Sequence, residues 1–459
     1  MSFAGSSDGL CIPLPSEDEV TNCFIIDDLL ANRAHHPQLN NVYKVEQASS
    51  LPPPTSLGNY QLTQHIQPPG TPAESNKRAN QFSILQTSAH HSPQTTNHKP
   101  TKICTYIMAI PPTFPAVTLT DKTSREHDIT IRSLPPLGAD EVGIRITATA
   151  INPVDWKLRD YGVFLDSYPA VLGSDAAGTI AAVGSNVSNF AVGDRVFFQG
   201  IVGNYDSSTF QTYCKMPAAL VAKTPSLVSD EQAAGISLAT VAALTGIYDR
   251  SGRGVAPPPW ETGGAQAGKG KAVVVLGGSS SVGQYAIQLA RLSGYDQIVT
   301  SASQSHHEYL KGLGATVVLD RMQATVSQYV AGLDSLPIDF VFDTISLKDT
   351  QVLGIEILQA AKVQAGSPLV TVMQPEADAQ ALGASKEPKV EVHAVMGLGS
   401  APNLRYLSEP LFAHLGGEDG WVATGEPPHR PMKPIAQPGP TRKWGGLGPV
   451  LRPIDRPWA

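Results

Sequence analysis

The segment Lys271-Ala-Val-Val-Val-Leu-Gly-Gly-Ser-Ser-Ser-Val-Gly283 runs from an apolar stretch into a turn of glycine and serine. Its part from Ala272 to Leu276 is continuously apolar, which is typical of a strand buried on both faces of a parallel sheet. After the turn, apolar residues recur at helical spacing; they are Val282, Tyr285, Ala286, Leu289 and Ala290. The first amides of such a helix have no intrahelical partner, and with the helix dipole they favour a phosphate group. The segment therefore predicts the phosphate-binding turn of a nucleotide-binding βαβ unit.

The glycine spacing departs from the G-x-G-x-x-G pattern, because it reads Gly277-Gly278-x-x-x-x-Gly283. Four further β-prone runs follow, separated by stretches that can be helical; they are Ile298 to Thr300, Ala315 to Leu319, Ile338 to Phe342 and Leu369 to Met373. Strands that alternate with helices predict an α/β fold of the Rossmann type, a doubly wound parallel sheet. The alternative for the turn is a tight strand-to-helix connection that binds no ligand.

The end of the second predicted strand indicates which dinucleotide is preferred. An Asp or Glu at that place hydrogen-bonds the ribose 2′-hydroxyl of NAD, whereas the 2′-phosphate of NADP requires neutral or basic neighbours. The strand ends in Val299-Thr-Ser-Ala-Ser303 and carries no carboxylate there. We therefore expect NADPH as the cofactor, with Ser303, His306 and Arg321 as partners of the 2′-phosphate. The alternative for His306 is a solvated residue at the start of a helix.

Composition and charge narrow the classes of function. The chain has 459 residues, of which 41% are hydrophobic, so it can bury a substantial core. Its 33 basic and 40 acidic side chains give a net charge of −7, which offers no attraction to nucleic acid or an anionic membrane. Its four cysteines lack C-x-x-C spacing and predict neither a disulfide framework nor a zinc cluster; they are Cys11, Cys23, Cys104 and Cys214. We expect a cytoplasmic protein, because no apolar run is long enough to span a bilayer.

The chain divides into four predicted regions. Residues 1–107 are rich in Pro, Ser, Gln, Asn, Thr and His, and we expect a disordered extension. Residues 108–235 contain short alternating runs that predict a small β-rich domain, and residues 236–399 carry the predicted Rossmann NADP-binding domain. Residues 400–459 are predicted to be irregular, because Gly416 to Trp444 is dense in proline and glycine.

Four motifs in the β-rich region occur in a definite order: Asn152-Pro-Val-Asp-Trp-Lys157, Gly173-Ser-Asp-Ala-Ala-Gly178, Gly184 and Gly193-Asp-Arg-Val196. Together with the turn at Gly277, they resemble the medium-chain dehydrogenase/reductase superfamily. Within it they are similar to the zinc-free quinone oxidoreductase-like proteins and the fungal trans-acting enoyl reductases. The likeness runs from about Met108 to about Ser400. It implies a GroES-like catalytic domain beside the Rossmann domain, with the active site between them.

The resemblance also bears on zinc. Zinc-dependent relatives carry a Cys where this chain has Asp155, and Gly-His-Glu where it has Gly173-Ser174-Asp175. Cys214 is the only thiol in the region, so a loop of four cysteines for a structural zinc has no counterpart. Two carboxylates alone are poor ligands for a catalytic zinc. We therefore expect no metal, and we expect local hydrogen bonds or ion pairs for Asp155 and Asp175.

Without a Lewis acid, the resemblance implies hydride transfer to an acceptor that is already activated, which is a carbonyl-conjugated double bond or a quinone. The expected substrate is a small-molecule enone, quinone or enoyl thioester. Lys157 is the predicted proton donor or oxyanion partner, and its alternative is a solvated surface lysine. Thr240, in the helix predicted from Ile236 to Tyr248, is expected to hydrogen-bond the nicotinamide amide or the substrate; its alternative is a threonine packed within the helix.

By the same resemblance, cofactor contacts are expected in the Asn152 motif, in the turn, beside the 2′-phosphate and in a later strand. These residues are Asn152, Pro153, Val154, Asp155, Trp156, Gly278, Ser279, Ser280, Ser281, Val282, Gly283, Ser303, His306, Arg321, Leu369 and Val370. Relatives tend to have Asn at the position of His306 and Tyr at the position of Arg321. An arginine suits a phosphate well.

The C-terminal region departs from the family pattern. Relatives close the fold with a Gly-Gly-Leu turn, a helix and a strand that returns to the catalytic domain, and Gly445 to Asp455 resembles only the start of this element. An incomplete return is therefore predicted. The family also implies a homodimer. Two other functions stay open: a noncatalytic NADPH-binding or decayed reductase-like protein, and a zinc alcohol dehydrogenase.

Overall fold

The computed structural model describes residues 109–363 and 366–423. The predicted disordered extension and the predicted turn at Gly445 lie outside the described residues. Within them the chain forms three β-sheets, of which two are antiparallel and one is parallel. None of the helices in these ranges is long and apolar enough to cross a bilayer.

The first part of the described chain is β-rich. Its strands are β1 (Phe114–Leu119), β2 (His127–Arg132), β3 (Glu141–Ala150), β4 (Ala170–Val171), β5 (Asp175–Val183), β6 (Arg195–Gln199), β7 (Tyr213–Pro217) and β8 (Val221–Lys223). The helices beside them are α1 (Pro153–Tyr161), α2 (Asp230–Ala234) and a 3₁₀ turn at Ala218–Leu220. One sheet has the order β2-β1-β4, and the other has the order β7-β3-β5-β6-β8. The alternating runs that predict this domain are Ala116 to Leu119, Ile129 to Ile131 and Val142 to Ile146, and they lie in β1, β2 and β3.

Helix α1 was not predicted, although its sequence explains it. Pro153 is its first residue, where the fixed φ of proline suits a helix and its missing N–H has no intrahelical acceptor to lose. Gly162 ends the helix in the left-handed conformation, with φ 64°, and its N–H donates to the carbonyl of Leu158. The apolar residues of this helix form only a narrow side, so hydrophobic periodicity in the sequence does not reveal it.

The second part of the described chain is the predicted α/β unit. A buried helix, α3 (Ser237–Tyr248), leads into the strands β9 (Ala272–Leu276), β10 (Gln297–Ala302), β11 (Val317–Asp320), β12 (Ile338–Asp343), β13 (Leu369–Thr371) and β14 (Val392–Ala394). The helices between them are α4 (Ser281–Leu292), α5 (His307–Leu313), α6 (Val326–Gly332), α7 (Lys348–Ala360) and α8 (Ala377–Ser385). Short 3₁₀ turns lie at Gly264–Gln266 and Gln304–His306.

The six strands pair in parallel in the order β11-β10-β9-β12-β13-β14. This is the strand order of the Rossmann fold. The strands are added toward one edge of the sheet from β9 to β11 and toward the other edge from β12 to β14. In β9, Val273 and Val275 pack into one hydrophobic cluster while Val274 and Leu276 pack into another. Both faces of the strand are therefore covered, as its continuous apolar sequence predicts. The carboxyl ends of all six strands meet at one edge of the sheet.

A last described helix, α9 (Arg405–Leu415), corrects the prediction that residues 400–459 are irregular. Leu407, Leu411 and Phe412 bury its apolar side. Just after the helix, the N–H of Gly417 donates to the carbonyl of Lys223 at 2.9 Å, at the end of β8. The chain therefore returns to the β-rich domain through this helix. In the sequence, the proline and glycine content of the stretch after Leu415 obscures the apolar spacing within the helix.

Candidate active site

The turn after β9 requires glycine at two positions for different reasons. Gly277 has φ 80°, a conformation that residues with a side chain rarely adopt. At Gly278 an added Cβ would lie 2.1 Å from Oγ1 of Thr300, so the limit there is space. The turn is closed by the N–H of Ser280, which donates to the carbonyl of Gly277 at 2.9 Å. The backbone is thereby pressed against β10 and leaves the outer side of the turn without side chains at these two positions.

Ser280 anchors the start of α4. Its Oγ accepts a hydrogen bond from the N–H of Gly283 at 3.0 Å and lies 2.8 Å from Oγ1 of Thr344. The amides of Ser281 and Val282 stand in the first turn, where no residue four positions earlier in the helix supplies a carbonyl. Both residues are half-buried. Two amides and the positive end of the helix dipole are thus available for a pyrophosphate, and the site fits a dinucleotide.

The structure brings together two of the three residues predicted for the 2′-phosphate. Nε of Arg321 donates to Oγ of Ser303 at 3.0 Å. The contact follows from the parallel pairing of Ala302 in β10 with Asp320 in β11, which places the next residue of each strand at the same edge. His306 ends the adjacent 3₁₀ turn and is half-buried. A guanidinium at this edge suits a 2′-phosphate, and the described residues show no carboxylate at the end of β10.

A buried polar cluster lies where the Asn152 motif meets the Gly173 motif. Asp155 accepts hydrogen bonds from the N–H of Asn152 at 2.7 Å and from Oγ of Ser174 at 2.9 Å. Asp175 accepts from the N–H of Leu238 at 2.9 Å and from Nδ2 of Asn152 at 3.3 Å. Burial raises the pKa of Asp155 to about 7 and raises the pKa of Asp175 well above its ordinary value.

This cluster does not fit a zinc ion. Each oxygen of the Asp155 and Asp175 carboxylates already receives a hydrogen bond from a neighbouring N–H or O–H. No imidazole or thiolate joins them, and within the described ranges no group of three or more His, Cys, Asp and Glu residues is placed to hold a metal. The observed contacts are the local hydrogen bonds expected for the two residues. That the protein works without zinc stays a prediction.

Lys157 lies on α1 and faces the Rossmann sheet. Its Nζ is 2.8 Å from Sδ of Met373, which lies two residues after β13, and 5.7 Å from the centre of the Trp156 ring. A thioether is a weak acceptor without charge, and in the described part of the chain no carboxylate forms an ion pair with this ammonium. Burial lowers the pKa of Lys157. The ammonium therefore lies at the junction of the two domains, on a half-buried residue, and its role in proton donation or oxyanion binding stays a prediction.

Of the remaining predicted residues, those in α1 and in the turn after β9 are at least partly accessible, whereas two residues of β13 face the core. Pro153, Val154 and Trp156 are in the first turn of α1, exposed or half-buried, and Ser279 is half-buried in the turn after β9. Leu369 and Val370, in contrast, are fully buried inside β13. The residues that follow the carboxyl end of that strand are Val372, which is half-buried, and Met373, which is 41% exposed.

Thr240 is fully buried in α3, and its Oγ1 donates to the carbonyl of Ile236 at 2.6 Å. This contact corresponds to the alternative of a threonine packed within a helix. A hydroxyl that donates in this way retains lone pairs, so toward a cofactor Thr240 can act only as an acceptor.

Sequence reasoning missed two residues that shape the site. Oγ1 of Thr344 donates to the carbonyl of Leu276 at 2.8 Å, which ties the end of β12 to the turn after β9. Met373 supplies the contact of Lys157. Both residues lie at or just after the end of a predicted β run. That position indicates the carboxyl edge of the sheet, where a site residue is expected.

Two family models match the chain in this order: the alcohol dehydrogenase GroES-like domain at residues 138–226 and the zinc-binding dehydrogenase domain at residues 281–385. The first falls on the β-rich domain and the second on the Rossmann sheet from α4 to α8. Both matches are consistent with the medium-chain dehydrogenase/reductase superfamily. The predicted GroES-like and Rossmann folds are both confirmed.

Two curated relatives that the chain resembles come from fungi. The chain is 39% identical over 202 residues to the dehydrogenase pigH of Monascus ruber, covering 42% of this chain and 54% of the relative. It is 36% identical over 222 residues to the trans-enoyl reductase himH of Aspergillus japonicus, covering 46% and 60%. The chain thus matches little more than half the length of these relatives.

A solved structure shares the fold. The alcohol dehydrogenase superfamily protein from Novosphingobium aromaticivorans superposes with a TM-score of 0.51 at 23% identity, covering 66% of this chain and 86% of that chain. At this identity the likeness concerns the fold alone.

Proposed function

We propose that the protein is an NADPH-dependent reductase of a double bond conjugated to a carbonyl, or of a quinone, and that it works without zinc. The observation that carries the proposal is the place of Lys157. A partly buried ammonium, unpaired with any described carboxylate, stands at the carboxyl edge of a Rossmann sheet whose turn fits a pyrophosphate. Relatives that are named trans-enoyl reductases support the proposal.

Residues already described would hold the dinucleotide. The turn at Gly278, with the amides of Ser281 and Val282, would receive the pyrophosphate, and Arg321 with Ser303 would receive the 2′-phosphate. When bound, the dihydronicotinamide supplies a hydride to the β-carbon of the acceptor.

Lys157 then acts on the substrate. As negative charge develops on the carbonyl oxygen, the ammonium stabilises it by a charge-assisted hydrogen bond. Burial lowers the pKa of Lys157 and so makes the ammonium a stronger acid, which can also supply or relay the proton that completes the reduction. Met373, which now receives the ammonium, is a weak acceptor and is readily replaced by a substrate oxygen.

A second candidate function is a noncatalytic NADPH-binding protein, favoured by the full burial of Thr240 and by its internal hydrogen bond. The variant Lys157→Met separates the two functions. For the reductase we expect turnover of enones or quinones to fall about 100- to 10,000-fold, while NADPH binding measured by calorimetry stays near the wild-type value.

Lys215→Met is the matched control, because Lys215 is also partly buried but pairs with Glu141 inside the β-rich domain. It is expected to retain turnover. Wild-type protein that binds NADPH yet reduces no enone or quinone in a broad panel would support the noncatalytic function instead.

A further inference from the structure

Two neighbouring side chains at one end of the five-stranded sheet reach beyond the β-rich domain. Asp175 begins β5, Gln199 ends β6, and the two are paired in the antiparallel register. Both are buried, with 1% and 4% of their surface exposed. Backbone groups form the hydrogen bonds between the two strands, so these side chains are not needed for the pairing. Both instead bond to elements that belong to the cofactor-binding part of the chain.

The Asp175 carboxylate connects two helices. Its Oδ1 accepts from the N–H of Leu238, in the first turn of α3, at 2.9 Å. Its Oδ2 accepts from Nδ2 of Asn152 at 3.3 Å, and Asn152 directly precedes α1. The helix that carries Lys157 and the helix that enters the Rossmann domain are therefore held by one buried group.

The Gln199 amide holds the segment after β14. Nε2 donates to the carbonyl of Gly397 at 2.7 Å, and Oε1 accepts from the N–H of Gly399 at 2.9 Å. On the other side an added Cβ at Gly397 would lie 2.6 Å from Cα of Ala242, so this segment lies directly on α3. Oγ of Ser408 donates to the carbonyl of Gly399 at 2.6 Å. Both backbone polar groups that face Gln199 are thus satisfied by one side chain.

We propose that Asp175 and Gln199 are positioning residues, which together form an interdomain clamp that sets where Lys157 stands relative to the bound cofactor. The proposal rests on the proposed reductase function. Its basis is that Lys157 sits on an element of the β-rich domain while its contact, Met373, sits on the Rossmann sheet. The reaction therefore requires two domains in a fixed relation, and a displacement on the order of 1 Å can cost a rate factor of about 100.

The test compares two buried glutamines. Gln199→Met removes both interdomain hydrogen bonds and keeps a side chain of similar length. Gln211→Met is the control, because Gln211 is 3% exposed and its Nε2 donates to the carbonyls of Tyr205 and Ser208, all within the β-rich domain. The readouts are kcat at saturating NADPH, NADPH affinity, and amide hydrogen exchange of residues 395–399 in the NADPH-bound protein.

We expect Gln199→Met to lower kcat about 10- to 100-fold, to leave NADPH affinity nearly unchanged, and to speed exchange in residues 395–399. The control is expected to do none of these. Asp175→Asn is the second variant, which decides by kcat and NADPH affinity if Gln199→Met does not fold, because Asp175 contacts Leu238 and Asn152 and not residues 395–399. The asparagine keeps one acceptor oxygen, but its NH₂ group replaces the oxygen that accepts from Nδ2 of Asn152, so that hydrogen bond is lost.

Equal turnover and equal exchange in the Gln199 and Gln211 variants would overturn the clamp. Failure of the proposed function looks different, because wild-type protein would then bind NADPH and reduce nothing. In that case exchange alone decides: faster exchange at residues 395–399 in Gln199→Met, but not in Gln211→Met, supports the clamp, and unchanged exchange overturns it.

Discussion

Gly278→Ala tests the turn after β9 by adding a single carbon. The new Cβ would lie 2.1 Å from Oγ1 and 3.0 Å from Cγ2 of Thr300. Thr300 is fully buried, and its hydroxyl donates to the carbonyl of Val275 at 2.6 Å, so it cannot turn away without losing that hydrogen bond. Overpacking of this kind costs about 1–3 kcal/mol. We expect the free energy of unfolding to fall by that amount and NADPH binding to weaken, because the turn must move away from β10.

Urea unfolding measures the stability change, and calorimetric titration measures NADPH binding. Gly312→Ala is the control, because Gly312 lies inside α5 with no atom within 4 Å of the added carbon, and alanine there is expected to stabilise by up to about 1 kcal/mol. Thr300→Ala removes Oγ1 and Cγ2, so in that background Gly278→Ala is expected to cost at least about 1 kcal/mol less. A Gly278→Ala protein as stable as the control, with unchanged NADPH binding, would refute this account of the turn.

Three further predictions concern single side chains. Arg321→Ala is expected to weaken NADPH about tenfold or more and to leave NADH unchanged in calorimetric titrations, because a hydrogen bond to the 2′-phosphate is lost; equal weakening of both would contradict this. Burial raises the pKa of Asp155 from 3.8 to about 7, so the contribution of this residue to wild-type stability falls as the pH rises through this window, by at most about 1.4 kcal/mol per pH unit. Asp155→Asn removes this contribution while that of Asp175 remains, so the variant is expected to lose less stability per pH unit than the wild type. Urea unfolding at several pH values checks this, and equal pH dependence of the two proteins would contradict it. Thr240→Val removes a fully buried hydroxyl that bonds within α3, so we expect NADPH binding in calorimetric titrations to stay at the wild-type level; weaker binding would show that the hydroxyl contacts the cofactor.

Local sequence patterns were sufficient for the parallel sheet of the Rossmann domain. The continuous apolar run of β9 predicted a strand covered on both faces, and the rhythm of later runs predicted the parallel sheet, because each signal comes from residues next to one another. Helix α9 was missed, since its Pro410 and the glycine-rich stretch after it obscured an apolar spacing that the structure buries. Helix α1 was missed for the opposite reason, since its apolar side is too narrow to give a periodic signal.

The site residues also differ in whether a local sequence pattern could predict their contacts. Ser303 and Arg321 were predicted together because they end adjacent strands, and the register places them in contact. The contact of Lys157 with Met373 joins positions 216 residues apart, which no spacing rule connects. Leu369 and Val370 were placed on the correct strand, but which residues of a strand reach its accessible end depends on where the strand stops.

The central claim is hydride transfer from NADPH to an activated double bond, and deuterium transfer tests it most directly. The full-length protein is incubated with C4-deuterated NADPH and an enone, with a metal chelator present, and the product is analysed by mass spectrometry and NMR. The account predicts deuterium on the β-carbon of the product, at a rate that Lys157→Met sharply reduces. Tight binding of NADPH with no deuterium in any product would contradict it.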